Sequence, residues 1–69
     1  MTDRNEVLER MGFLLHGEYL YHTKLYITNY SHGMVKVFMN KTFEINCDSD
    51  VFDLVCKDIA ELRKEGVLK

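Results

Sequence analysis

Between Phe13 and Cys47 apolar and aromatic residues recur at alternate positions, while on either side of that segment they recur at helical spacing. Alternation puts successive side chains on opposite faces of a strand, and a period near 3.6 gathers them on one stripe of a helix. The chain therefore reads as a short N-terminal helix, a three- to four-stranded antiparallel meander, and a C-terminal helix packed on one face of the sheet. That is an α+β fold. The 69 residues contain no repeat, low-complexity tract or linker, so residues 1–69 are expected to form a single domain.

Both helices carry start and stop signals. Thr2 or Asp3 can cap the first, Glu6 follows Asp3 as in a capping box, and Val7, Leu8 and Met11 fall at helical spacing. Gly12 is expected to end it in a left-handed conformation that lays Phe13 over Leu8. The second is expected from about Ser49 to Glu65. Asp48, Ser49 and Asp50 offer capping oxygens, Val51, Val55, Ile59 and Leu62 form the apolar stripe, and Arg63 and Lys64 close the last turn. Gly66, with Val67 over Leu62, repeats the first helix's stop.

Within the sheet segment, His16-Gly17, Ser31-His32-Gly33 and Asn40-Lys41 are the punctuation. Gly17 leaves open whether Phe13 to His22 is one strand or two. Leu25 and Ile27, then Val35, Val37 and Met39, then Phe43, Ile45 and Cys47 are expected on the inner face. Lys24, Tyr26, Thr28, Tyr30, Lys36 and Phe38 would then point outward, with Thr42, Glu44 and Asn46 on the far strand. A two-residue turn at Asn40-Lys41 would set Val37 against Glu44, mixing core and solvent positions. A three-residue loop or a bulge instead pairs odd with odd positions and brings Val37 opposite Phe43 or Ile45. The N-terminal helix, or a second copy of the chain, competes to cover the outer face.

At 46% hydrophobic and 29% charged, the chain has the apolar surface to fold and the charge to stay dissolved. Its net charge of −2 supplies no global field for nucleic acid or acidic lipid. Apolar runs fall far short of the roughly 20 residues of a membrane-spanning helix. Two cysteines, Cys47 and Cys56, are too few for a secreted disulfide framework, and no signal peptide is read at the N-terminus. A reducing cytoplasmic compartment is expected, with both thiols unpaired and mostly buried.

His16, His22, His32, Cys47 and Cys56 include no CxxC, HxxxH or HExxH spacing, so neither a metal nor another cofactor is expected. Asp48, Asp50, Asp53 and Asp58 surround the start of the last helix, where caps and dipole partners are the ordinary explanation. No nucleophile stands beside a base in the sequence, and no glycine loop cradles a phosphate. An enzyme, and with it a small-molecule substrate, is not expected.

The order helix, strands, helix over 69 residues is similar to that of double-stranded RNA-binding domains. Those domains grip phosphates with a lysine cluster at the start of their last helix. The matching stretch here, Asp48-Ser49-Asp50-Val51-Phe52-Asp53, would repel them. The aromatic outer face is similar to sheets that stack single-stranded bases, but the motif K/R-G-F/Y-G/A-F-V-x-F/Y is not present around Val35 to Met39. Neither resemblance carries over a function.

What remains is the outer face. Lys24, Tyr26, Tyr30, Lys36 and Phe38 would form a docking surface, since aromatic rings supply large contact area at low entropic cost. The chain is therefore expected to be a small non-enzymatic protein-binding module, alone or as a homodimer. By size it is the kind of regulator or inhibitor that phages and mobile elements encode. The alternative is weak binding of single-stranded nucleic acid by the same residues.

Overall fold

The structure, a computed structural model, describes residues 3–17 and 20–69. Asp3 stands in an extended conformation and its Oδ1 accepts the Asn5 N–H at 2.8 Å, which starts helix α1 (Arg4–Arg10). The alternative cap, Thr2, lies outside the described residues. The stop is the one the sequence predicts. Gly12 takes φ 93°, the Phe13 N–H reaches the Leu8 carbonyl at 2.9 Å, and the Gly12 N–H reaches that of Glu9 at 3.0 Å. Helix α2 (Phe52–Lys64) closes in the same way, with Gly66 at φ 80° and the Val67 N–H on the Leu62 carbonyl at 2.9 Å.

The start of α2 differs from expectation. A 3₁₀ turn over Ser49–Val51 precedes it, and Asp48 makes no side-chain cap there. Its Oδ2 accepts the His32 N–H at 3.1 Å, while Asp50 Oδ2 accepts the Ser31 hydroxyl at 3.0 Å. These carboxylates tie the helix entrance to the loop before the third strand and to that strand's first residue, His32.

Four strands, β1 (Leu14–His16), β2 (Tyr21–Ile27), β3 (His32–Phe38) and β4 (Phe43–Cys47), form one antiparallel sheet in chain order. The segment from Phe13 to His22 is thus divided. The β3–β4 hairpin follows the parity argument. Phe38 N–H bonds Thr42 O at 2.9 Å across the three-residue loop Met39-Asn40-Lys41, and Lys41 takes φ 70°. Val37 consequently faces Phe43, and Val35 faces Ile45. Met39, expected inside, sits in that loop and is exposed.

In β2 the expected faces are exchanged. The loop Thr28-Asn29-Tyr30-Ser31 joins Ile27 to its partner His32, and four is an even number, so odd positions of β2 pair with even positions of β3. His22, Lys24 and Tyr26 therefore share the inner face with Val37, Val35 and Gly33. Leu25 and Ile27 point outward, 67% and 77% exposed. Gly33 is a strand residue here, not a turn. A Cβ at that position would collide with the Cβ of Cys47, which crosses close beside it.

Both helices pack on the inner face. Val7 and Leu8 of α1 join Val55, Ile59 and Leu62 of α2 over Val35 and Val37, and Phe13, Tyr26, Val51, Val67 and Leu68 pack into the same core. Arg4 Nη2 ties α1 to the sheet through the Phe38 carbonyl at 2.7 Å. Among the described residues, no helix is long and apolar enough to cross a membrane.

His22 is buried in this core, and neither ring nitrogen has a hydrogen-bond partner among the described residues. Burial pushes its pKa below the ordinary 6.5, the charges of Arg4 and His16 add to this, and Glu9 opposes it. The unfolded chain then takes up this proton at a higher pH than the folded one. Stability is full above about pH 6.5 and declines as pH falls through the window below it. We expect chemical denaturation from about pH 7.5 down to pH 5 to show that decline, and His22→Phe to flatten it. An equal slope in the variant would assign the decline to other groups.

The parity of β2 gives a second outcome. Val37→Asp puts an unpaired charge in the core and should unfold the domain, at a cost above about 4 kcal/mol. Leu25→Thr should stay within about 1 kcal/mol of the parent. A large loss of melting temperature for Leu25→Thr would mean that this residue is core.

Candidate functional site

With both helices on one face, the other face of the sheet is left without a helix over it among the described residues. Strand register sets its rows. Leu14, Thr23, Lys36 and Glu44 cross the sheet side by side, Leu25, Met34 and Asn46 form the next row, and Ile27 stands beside His32. On the other side of the Leu14 row lie His16, Tyr21 and Phe38.

The two ends of this face differ. At one, the His16 ring stacks on Tyr21 at 5.0 Å, Tyr21 meets Phe38 edge-on at 6.1 Å, and the Lys36 ammonium lies 4.7 Å from the Tyr21 ring centre. His16 Nε2 is also 2.7 Å from the Thr23 hydroxyl. Beyond it aliphatic side chains stand exposed, Leu14 by 70% in the row of Lys36 and Leu25 and Ile27 in the two rows that follow.

Of the residues singled out from sequence, Lys36 and Phe38 lie on this outer face and half-buried. Tyr30 is at the tip of the β2–β3 loop and almost wholly exposed. Lys24 and Tyr26, expected beside them, lie on the inner face, where both meet Asp58 of α2. Lys24 Nζ is 2.7 Å and the Tyr26 hydroxyl 2.6 Å from the same Oδ2. The Lys24 ammonium also sits over the rings of Tyr26 and Phe13, at 4.9 and 5.8 Å. Burial first, and then the bond to Asp58, raises the Tyr26 pKa, so the phenol stays neutral and donates. Asp58 is thus neither a cap nor a dipole partner, since it lies within α2 and anchors the helix to β2.

Leu14, His16, Tyr21, Leu25 and Ile27 are the surface residues that parity alone did not find, and Met34 shares the parity of Lys36 and Phe38. The signal that would have found them is loop chemistry. The Thr28 N–H bonds Ser31 O at 2.8 Å, and the Ser31 N–H reaches back to Thr28 Oγ1 at 3.2 Å. A Thr-x-x-Ser pair closing a four-residue loop fixes the register that exchanges the faces of β2.

The cysteines are free, as expected, but only Cys47 is partly buried. Cys56 is exposed, because it lies off the buried stripe of Val55, Ile59 and Leu62. No group of three or more His, Cys, Asp or Glu side chains capable of holding a metal ion occurs among the described residues. Comparison with known protein families, with curated proteins and with solved structures finds no match for this chain.

The Lys24–Tyr26–Asp58 cluster yields its own test. Asp58→Ala removes both bonds and leaves the buried Tyr26 and the half-buried Lys24 without this acceptor, and should cost about 1–3 kcal/mol in urea denaturation. In a Tyr26→Phe background the loss should shrink by about 0.5 kcal/mol or more. Strict additivity would show that the two groups do not act together.

Proposed function

We propose that this domain is a non-enzymatic protein-binding module whose partner covers the open face of the sheet. The observation that carries this reading is that α1 and α2 share one face while Leu14, Leu25 and Ile27 stand largely exposed together on the other. Large contiguous apolar patches on a protein surface often mark interaction sites. Met34, Tyr21 and Phe38 extend the patch, and Tyr30 stands at its loop tip.

The chemistry of the face favours a protein. Of the two lysines expected there, Lys24 is held by Asp58 on the inner side, and Lys36 rests over Tyr21 beside Glu44. That is weak provision for a phosphate backbone, whose binding rises with the number of cations set against it. The mixture of aliphatic, aromatic and paired charged groups matches what protein interfaces bury.

The test replaces Leu14, Leu25 and Ile27 together with serine. The variant's melting temperature should stay within a few degrees of the parent's, because these side chains lie outside the core. Partners recovered by the parent from its native host should be lost. Retention of the same partners would place binding elsewhere. Salt-dependent capture of single-stranded oligonucleotides, weakened by Lys36→Ala, would favour nucleic acid instead.

A further inference from the structure

We propose that two copies of this chain associate through the free edge of β4, pairing antiparallel about a two-fold axis at Ile45. The surface is distinct from the open face described above, and the inference does not depend on that reading.

The main chain of β4 shows which groups are available. Phe38 N–H bonds Thr42 O, and Asp48 N–H bonds His32 O at 3.1 Å, so the even positions turn their main chain toward β3. In an antiparallel strand successive residues alternate in this respect. Phe43, Ile45 and Cys47 therefore turn their N–H and C=O groups to the outside, where, among the described residues, no further strand follows β4 in the sheet. Among the described residues no other main-chain bond reaches them.

Edge strands of monomers are usually blunted by shortness, lysine, proline or a bulge. The opposite edge, β1, is blunt in this sense at three residues. β4 has five residues, Phe43-Glu44-Ile45-Asn46-Cys47, with neither lysine nor proline. Beneath it, Phe43 and Ile45 line an open groove with Cys56, Ile59, Ala60 and Arg63 of α2. A strand added at this edge would lay alternate side chains over that groove.

A second β4 fits the position. With the axis at Ile45, Ile45 meets its own copy and Phe43 meets Cys47, so all three outward-turned residues meet outward-turned residues. Each such pair exchanges two main-chain hydrogen bonds. On the outer face Glu44 falls opposite Asn46, so no like charges oppose each other, and a carboxylate stands beside an amide that can donate to it. The two sheets would join into one, with both open faces on the same side.

The experiment is sedimentation of the whole chain across a range of concentrations. We expect a reversible monomer–dimer equilibrium. Asn46 is exposed and its substitution spares the core. Asn46→Glu sets carboxylates against Glu44 twice and should weaken the dimer by roughly three- to thirtyfold, whereas Asn46→Lys should tighten it. In a chain with Cys47 and Cys56 changed to serine, Ile45→Cys should oxidise to a disulfide-linked dimer, because paired residues lie about 5.5 Å apart between Cα atoms. A chain that stays monomeric to about 1 mM overturns the proposal, whatever other strand the edge accepts. So does a dimer that is indifferent to both Asn46 substitutions and forms no Ile45→Cys disulfide. Dissociation of such a dimer by the Leu14, Leu25 and Ile27 serine variant would assign it to the open face instead.

Discussion

The four-residue loop between β2 and β3 decides which side of β2 meets the core. Thr28 and Ser31 close it with main-chain and hydroxyl bonds, and its even length sets Tyr26 opposite Gly33 and His22 opposite Val37. One residue more or fewer would turn Leu25 and Ile27 inward and carry Lys24 and Tyr26 out. The loop is held in turn from the helix side, since Asp50 and Asp48 bond Ser31 and His32. Register and helix entrance are therefore one assembly.

That register gives the core an unusual content for so small a domain. Three inner positions of β2 are His22, Lys24 and Tyr26, while two aliphatic residues of the same strand face away. The exchange is tolerable because each polar group has a way to avoid an unpaired charge. Lys24 lays its stem along Phe13 and delivers its ammonium to Asp58, Tyr26 buries its ring and donates to the same carboxylate, and His22 is kept neutral by burial. Leaving Leu25 and Ile27 in water forgoes about 1.5–3 kcal/mol for each side chain that could have been buried. A fold that accepts this has its apolar surface displayed outward.

Much of this architecture was legible in the sequence. The Asp3 cap of α1, the stops of both helices, the α2 stripe, and the odd register of the β3–β4 hairpin all rest on local rules, and local rules are what glycine, valine and aspartate spacing report. The face of β2 was not legible from alternation, because Thr23-Lys24-Leu25-Tyr26-Ile27 alternates equally well in either sense. Only the neighbour across the hairpin decides, and reading Ser31-His32-Gly33 as the turn hid the length of the loop. The same error put Lys24 and Tyr26 in the candidate site and left Leu25 and Ile27 out of it. Lys36 and Phe38 kept their places because β3 is anchored by valines at Val35 and Val37. Asp58 could not be read as a bridge to β2, since that contact spans more than thirty residues of chain.

The two ends of the open face would contribute differently to any partner that covers it. His16, Tyr21, Phe38 and Lys36 already pack on one another, so they have less rotamer freedom left to lose. They offer a preformed shape with a directional charge. Leu14, Leu25 and Ile27 project further into solvent, and their burial removes more apolar area from water. Affinity would come mainly from the aliphatic end and orientation from the aromatic one. A partner therefore needs an apolar ridge for the first and a carboxylate or carbonyl near Lys36 for the second, and a surface that supplied only negative charge would find the larger part of this face uncompensated.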